Sequence, residues 1–208
     1  MNALLARMAS SLNASSLPLI VPASSDWSGN DGNWSTFDLA VGSPAQSFKV
    51  LPSTLTSETW VPVSEGCSTA SDLLACAGSR GVGYPNLGFQ TNASTTWSQI
   101  GIYELTTEQK LYGDAETGLY GLDTVSLNGT GSPHKLENQT VAGIATADFW
   151  LGSFGLGIQA SEFSVLPSGV PSLLSSIRQQ KLIPSLSFGY TAGASYSRWS
   201  IEGINEFS

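Results

Sequence analysis

From Leu17 onward the chain is a succession of short apolar or alternating stretches, broken every few residues by Gly, Pro, Asn, Asp or Ser. That punctuation leaves little room for long helices and points to β-structure. Trp34–Val41 alternates, with Trp34, Thr36 and Asp38 on one side and Phe37, Leu39 and Val41 on the other. Gly42-Ser43-Pro44 then turns the chain into Gln46–Leu51, so this segment predicts a hairpin. Leu17–Val21 predicts a strand closed by Pro22, followed by a polar loop over 24–33. Further strands are expected near Glu58–Val63, Gly101–Leu105, Glu108–Tyr112, Leu119–Leu127 and Thr140–Thr146, and where Leu186, Phe188 and Tyr190 alternate. Residues 64–96 read mostly as loop. One helix is expected, opening at Pro171 after Ser168, with Leu173, Leu174 and Ile177 on one face and Pro184 as its stop. Short strands with a single helix predict an all-β domain, barrel-like or sandwich-like.

Charge narrows the function. Only 12% of the 208 residues are charged, 16 acidic against 8 basic, for a net charge of −8 and a pI near 4.4. Binding to nucleic acid needs clustered Lys and Arg, and none cluster here. A polybasic membrane contact is disfavoured for the same reason. With 41% hydrophobic residues the chain can bury a core, which argues against disorder. The polar surface is supplied by 33 Ser and 16 Thr.

Five Asn-x-Ser/Thr sequons, at Asn13, Asn33, Asn92, Asn128 and Asn138, are candidate glycosylation sites and favour an extracellular or cell-surface domain in the secretory pathway. Cys67 and Cys76 lie nine positions apart and are able to close a small loop, although two cysteines alone do not establish a pairing. Such a bridge would contribute at most about 2.5–3 kcal/mol. Residues 1–16 are expected to be a disordered lead-in, with residues 17–208 forming the domain. Arg7 interrupts the apolar patch of the lead-in, so no signal peptide is visible, and no stretch reaches the roughly 18–20 apolar residues of a membrane span.

Several chemistries are excluded by residue type. The single histidine, His134, sits in the polar turn Gly131–His134 and reads as a solvated turn residue. No serine lies in a nucleophile elbow that a triad would need. No His/Cys spacing suits a metal, and the glycine-rich Gly152–Gly157 is not followed by a helix start, so neither metal nor nucleotide cofactor is expected. Carboxylate chemistry is the remaining enzymatic option.

Trp34–Phe48, with its Gly42-Ser43-Pro44-Ala45-Gln46 turn, followed by Val50–Pro62, resembles the opening of pepsin-like aspartic proteases. Further matches follow in order: Tyr112-Gly113 with the flap, Gly118–Val125 with the strand returning from it, and Gly152–Leu156 with the segment that crosses the active-site loop. Pro171–Phe188 matches the lobe-closing helix and strand, and Glu202–Asn205 the end of the N-terminal lobe. The resemblance implies the N-terminal lobe of the pepsin-like double-ψ β-barrel over residues 17–208. It also implies a Cys67–Cys76 disulfide and a cleft lined by Tyr112 and Gly113 that takes extended polypeptide. Trp34, Trp60 and the Tyr190–Ala194 pattern are most similar to fungal members, in which the first catalytic aspartate is often replaced and a two-lobed ectodomain precedes a membrane anchor. A C-terminal lobe and an anchor beyond Ser208 are thus implied.

The departures from the family pattern bear on activity. Where the family reads Asp-Thr-Gly, this chain reads Ser53-Thr54-Leu55, and no Asp-Thr-Gly or Asp-Ser-Gly occurs elsewhere. A serine hydroxyl cannot take the place of a carboxylate in a dyad that shares one proton. Among other carboxylates, Glu58 reads as a surface residue along the third strand, Asp123 as structural and Asp148 as a turn cap. The chain is therefore expected to be a catalytically degenerate, polypeptide-binding or sensing domain. The alternatives are an active endopeptidase completed by a second lobe, and a cell-wall structural protein.

Overall fold

The computed structural model describes residues 18–28, 34–67, 71–79, 87–104, 117–127, 134–145, 151–163, 166–191 and 198–201. Its organising pair is the hairpin of β2 (Trp34–Val41) and β3 (Gln46–Ser53), in register from Phe37 opposite Val50 to Val41 opposite Gln46. Gly42 makes the turn possible because it takes a φ of 91°, a conformation that side chains rarely tolerate. Phe37, Leu39, Val41, Phe48 and Val50 all lie in the core. The expected alternation is realised only in part, since Thr36 on the other side of β2 is buried as well.

Around this hairpin stand β4 (Trp60–Pro62), β6 (Thr117–Leu127), β7 (Lys135–Ile144) and β8 (Gly152–Gly155). The C-terminal half of β2 pairs with β6, and the order β2-β3-β8-β4-β7-β6 returns to β2, closing a six-stranded barrel. Most of its contacts are antiparallel, but β3 runs parallel to β8 and β4 parallel to β7. Closure removes the sheet edges within the ring. Outside it, β5 (Ser98–Glu104) pairs with β6. Beyond β2, β1 (Leu19–Ser28) pairs with β12 (Arg198–Ile201), which pairs in turn with β11 (Gly189–Thr191). A small separate hairpin is formed by β9 (Ser161–Phe163) and β10 (Leu166–Val170). The chain is all-β with short helices, as the sequence predicts.

Several boundaries differ from expectation. Pro22 does not close the first strand, and 24–28 is strand rather than loop, since β1 runs through to Ser28. The ladder changes partner at the proline, from β12 up to Pro22 to β2 from Ala23, so its missing N–H falls at the switch. A second short helix, α1 (Leu73–Ser79), lies in the region read as loop. Asp72 caps it, its carboxylate accepting from the Leu74 and Ala75 N–H groups at 2.9 and 3.1 Å. The expected helix is α2 (Leu173–Gln179), and its cap is Ser172, whose hydroxyl accepts from the Ser175 N–H at 3.1 Å. Its buried residues Leu173, Leu174 and Ile177 face the core. The last expected strand is confined to β11, while the expected strand over 108–112 lies outside the described residues.

The core centres on Phe37, which meets Phe154 of β8 edge to face with ring centroids 5.9 Å apart. Cys67, in a 3-10 turn over Ser64–Cys67, is bonded to Cys76 of α1, with Cα atoms 6.0 Å apart. Phe37→Ala is expected to cost about 3–5 kcal/mol in urea unfolding. Ile20→Ala, on the exposed face of β1, should stay within about 0.5 kcal/mol. Equal losses at the two positions would contradict this placement of the core.

Candidate functional site

Ser53 is the last residue of β3, half-buried, with its neighbours Thr54 and Leu55 exposed. Its strand lies parallel to β8, with Ser53 opposite Gly155. Beyond that point the two chains cross. The Leu156 N–H donates to the Ser53 carbonyl at 2.8 Å, and the Gly157 N–H donates to the Thr56 carbonyl at 3.0 Å. The crossing leaves no space for a side chain on Gly155, where a Cβ would stand 2.2 Å from the Ser57 carbonyl carbon. The Gly155 N–H donates to Thr59 Oγ1 at 3.4 Å, and the Glu58 N–H to Thr56 Oγ1 at 3.1 Å. Hydroxyl side chains thus hold the interior of the loop, while Thr54 and Leu55 are exposed and Ser53 is half-buried.

Leu55 takes no left-handed backbone conformation; among the described non-glycine residues only Asn138 and Lys181 have positive φ. The loop therefore accommodates a side chain at the position where the resemblance implies glycine. That side chain is 64% exposed, and Ile158, just past the crossing on the other chain, is 69% exposed.

Glu58 corrects the sequence reading. It is not a surface residue, and it precedes β4 rather than lying along it. It is 1% exposed and accepts a hydrogen bond from the Tyr120 hydroxyl at 3.1 Å. Sequence reasoning sees a charged residue between Ser and Thr and assigns it to solvent. The partner is 62 residues away on β6, so no local signal points to it.

Asp123 is structural, as expected. It is buried, and its Oδ1 accepts from the Ser94 hydroxyl at 3.1 Å, from the Thr124 N–H at 2.7 Å and from the Thr96 hydroxyl. These bonds fasten the 94–96 turn to β6, and the Ser43 N–H donates to the same Ser94 hydroxyl at 3.1 Å. Ser94 and Thr96 carry no signal in the sequence, because isolated hydroxyls are common in a Ser/Thr-rich chain.

Of the other candidates, Tyr112, Gly113 and Asp148 lie outside the described residues, as do Asn13, Asn33 and Asn128. Asn92 and Asn138 are both exposed. Asn92 sits in a 3-10 turn over Thr91–Ala93, and Asn138 stands on β7 with a φ of 53°. Cys67 and Cys76 are brought together as a disulfide. His134 is half-buried immediately before β7. Within residues 51–63 the one carboxylate is Glu58, while Ser53 is half-buried and Thr54 exposed.

A six-stranded barrel with two parallel contacts, and a loop after β3 crossed by the chain leaving β8, defines a lobe of the aspartic-protease type. The family model for eukaryotic aspartyl protease matches residues 36–197, well over half of the chain, and the chain belongs to that family. No curated protein matches it.

The tight crossing generates a prediction. Gly155→Ala should destabilise the protein by about 1–3 kcal/mol through displacement of the Ser57 backbone. Gly157→Ala, whose Cβ would meet Thr56 at 3.0 Å, should cost less. Chemical denaturation of both variants checks the order, and a neutral Gly155→Ala would refute the crossing.

Proposed function

We propose that this domain is a catalytically silent aspartyl-protease lobe that binds extended polypeptide outside the cell. The observation that supports this reading most is the loop after β3. It presents hydroxyls and an apolar side chain, Ser53, Thr54 and Leu55, where the family's reaction needs a carboxylate at the surface. Activating a water requires a group that can take its proton, and a serine hydroxyl does not take it as a carboxylate does. Glu58 does not replace the missing acid in this reading, because it is turned inward and engaged by Tyr120.

The crossed-loop scaffold is retained without the acid. An extended peptide lying over the loop would find backbone groups for β-type hydrogen bonds, with Leu55 and Ile158 as apolar contacts. Tyr112 and Gly113 belong to the same cleft by resemblance, and a C-terminal lobe of the same protein is its natural second wall. The disulfide, the acidic balance and the exposed sequons at Asn92 and Asn138 favour the secretory pathway, with a glycan on each of these two asparagines. A fungal, membrane-anchored relative is the setting the sequence pattern suggests.

Hydrolysis of a peptide library between about pH 3 and 5, with and without a transition-state inhibitor, tests the silence. No inhibitor-sensitive turnover is expected, together with measurable binding of library peptides. Turnover that is blocked by the inhibitor and survives Ser53→Ala would establish the opposite reading, an endopeptidase completed by a second lobe. The double variant Ser53→Asp/Leu55→Gly should gain turnover only in a protein that supplies a second aspartate.

A further inference from the structure

A buried carboxylate is costly unless something in the fold uses it, because an ionised carboxyl loses its hydration and a neutral one needs its oxygens satisfied. Glu58 is such a group, and polypeptide binding as proposed above gives it no direct task. Its position is informative. Glu58 lies within the loop that β8 crosses, between the Thr56 carbonyl that receives Gly157 and the Thr59 carbonyl that receives the Ala142 N–H at 2.9 Å. Tyr120, its partner, lies on β6 opposite Gly101 of β5 and Ala142 of β7. The Tyr120 ring is itself buried, packed with Trp60 and met edge-on by Tyr103 of β5 at 5.9 Å. One hydrogen bond therefore spans two parts of the lobe: the loop carrying Ser53-Thr54-Leu55, and the β5–β6 pair that forms the stem of the neighbouring hairpin.

We propose that Glu58 is a positioning residue, whose carboxyl ties the Ser53–Thr59 loop to the stem of the β5–β6 hairpin through the Tyr120 hydroxyl. Backbone bonds already hold the loop to β8 and β7. The Glu58–Tyr120 bond adds a link to β6 from the interior, and so fixes the height of the loop relative to the hairpin. An apolar residue of similar size would fill the space but leave the Tyr120 hydroxyl without this acceptor. The consequence for peptide affinity rests on the polypeptide-binding reading. The tie itself is measured on the free protein, so the two fail separately.

The test is amide hydrogen exchange on the full chain and on four variants: Glu58→Leu, Glu58→Gln, Tyr120→Phe, and Glu58→Leu combined with Tyr120→Phe. Glu58→Leu and Tyr120→Phe should each speed exchange about tenfold or more in residues 98–104 and 117–122, with 37–41 of β2 unchanged. The combined variant should be no worse than the more affected single one, since both remove the same bond. Glu58→Gln keeps an acceptor oxygen at the same reach and should return exchange to within about threefold of the parent. Additive effects, faster exchange spread equally over β2, or a Glu58→Gln variant as damaged as Glu58→Leu would overturn the proposal. If Glu58→Leu does not fold, Tyr120→Phe decides, and unchanged exchange in the hairpin stem of that variant overturns it. Absence of peptide binding by the parent would sink the polypeptide-binding reading and leave the tie standing.

Discussion

The contact on which the rest of the lobe depends is backbone against backbone, where the chain leaving β8 passes over the loop that follows β3. Gly155 lies so close to Ser57 that any side chain there would overlap it, and the amides of Leu156 and Gly157 donate across the crossing to Ser53 and Thr56. Because main-chain groups make the contact, it demands little of the side chains projecting from the loop. The crossing needs a glycine on one chain and hydrogen-bonding carbonyls on the other. It does not require an acid at Ser53 or a glycine at Leu55. A barrel of this kind therefore keeps its architecture with a hydroxyl residue at the end of β3.

Two polar groups show how the interior is assembled around that crossing. Asp123 gathers the Ser94 and Thr96 hydroxyls and the Thr124 amide, and so fastens the 94–96 turn to β6. Glu58 takes the Tyr120 hydroxyl and faces a satellite core of Trp60, Tyr120, Ala142, Ile144 and Val170, distinct from the main core around Phe37. Buried carboxylates in such places act as local organisers by gathering donors, as Asp123 does through Oδ1 alone. The two acids are thus part of the scaffold, while the outward face of the loop is made of hydroxyls and exposed aliphatic groups.

Much of this was legible in the order of residues. The β2–β3 hairpin follows from period-two alternation around Gly42-Ser43-Pro44, and α2 from the apolar spacing of Leu173, Leu174 and Ile177. Ser53-Thr54-Leu55 stands out by resemblance, since the flanking family motifs are strong enough to locate the loop without its acid. The continuation of β1 through Pro22 was not legible, because a proline is tolerated or not according to which neighbour strand needs its N–H. The helix α1 is short enough that the Asp72 cap is its main local signal.

What the sequence alone determined is an all-β chain, from its periodicity and punctuation. Through the resemblance of its motifs to pepsin-like proteases, it also determined the place of the crossing loop and the absence of a carboxylate there. These are local properties, encoded in neighbours a few residues apart. Only the tertiary structure decided that β2 divides its pairing between β1 and β6 to close the barrel. It alone turned Glu58 inward to meet Tyr120, 62 residues away, and left Leu55 and Ile158 exposed on the two segments that cross. Burial and partnership at those positions depend on which distant strands are brought together, and a charged side chain carries no mark in its own sequence neighbourhood of the donor that will meet it.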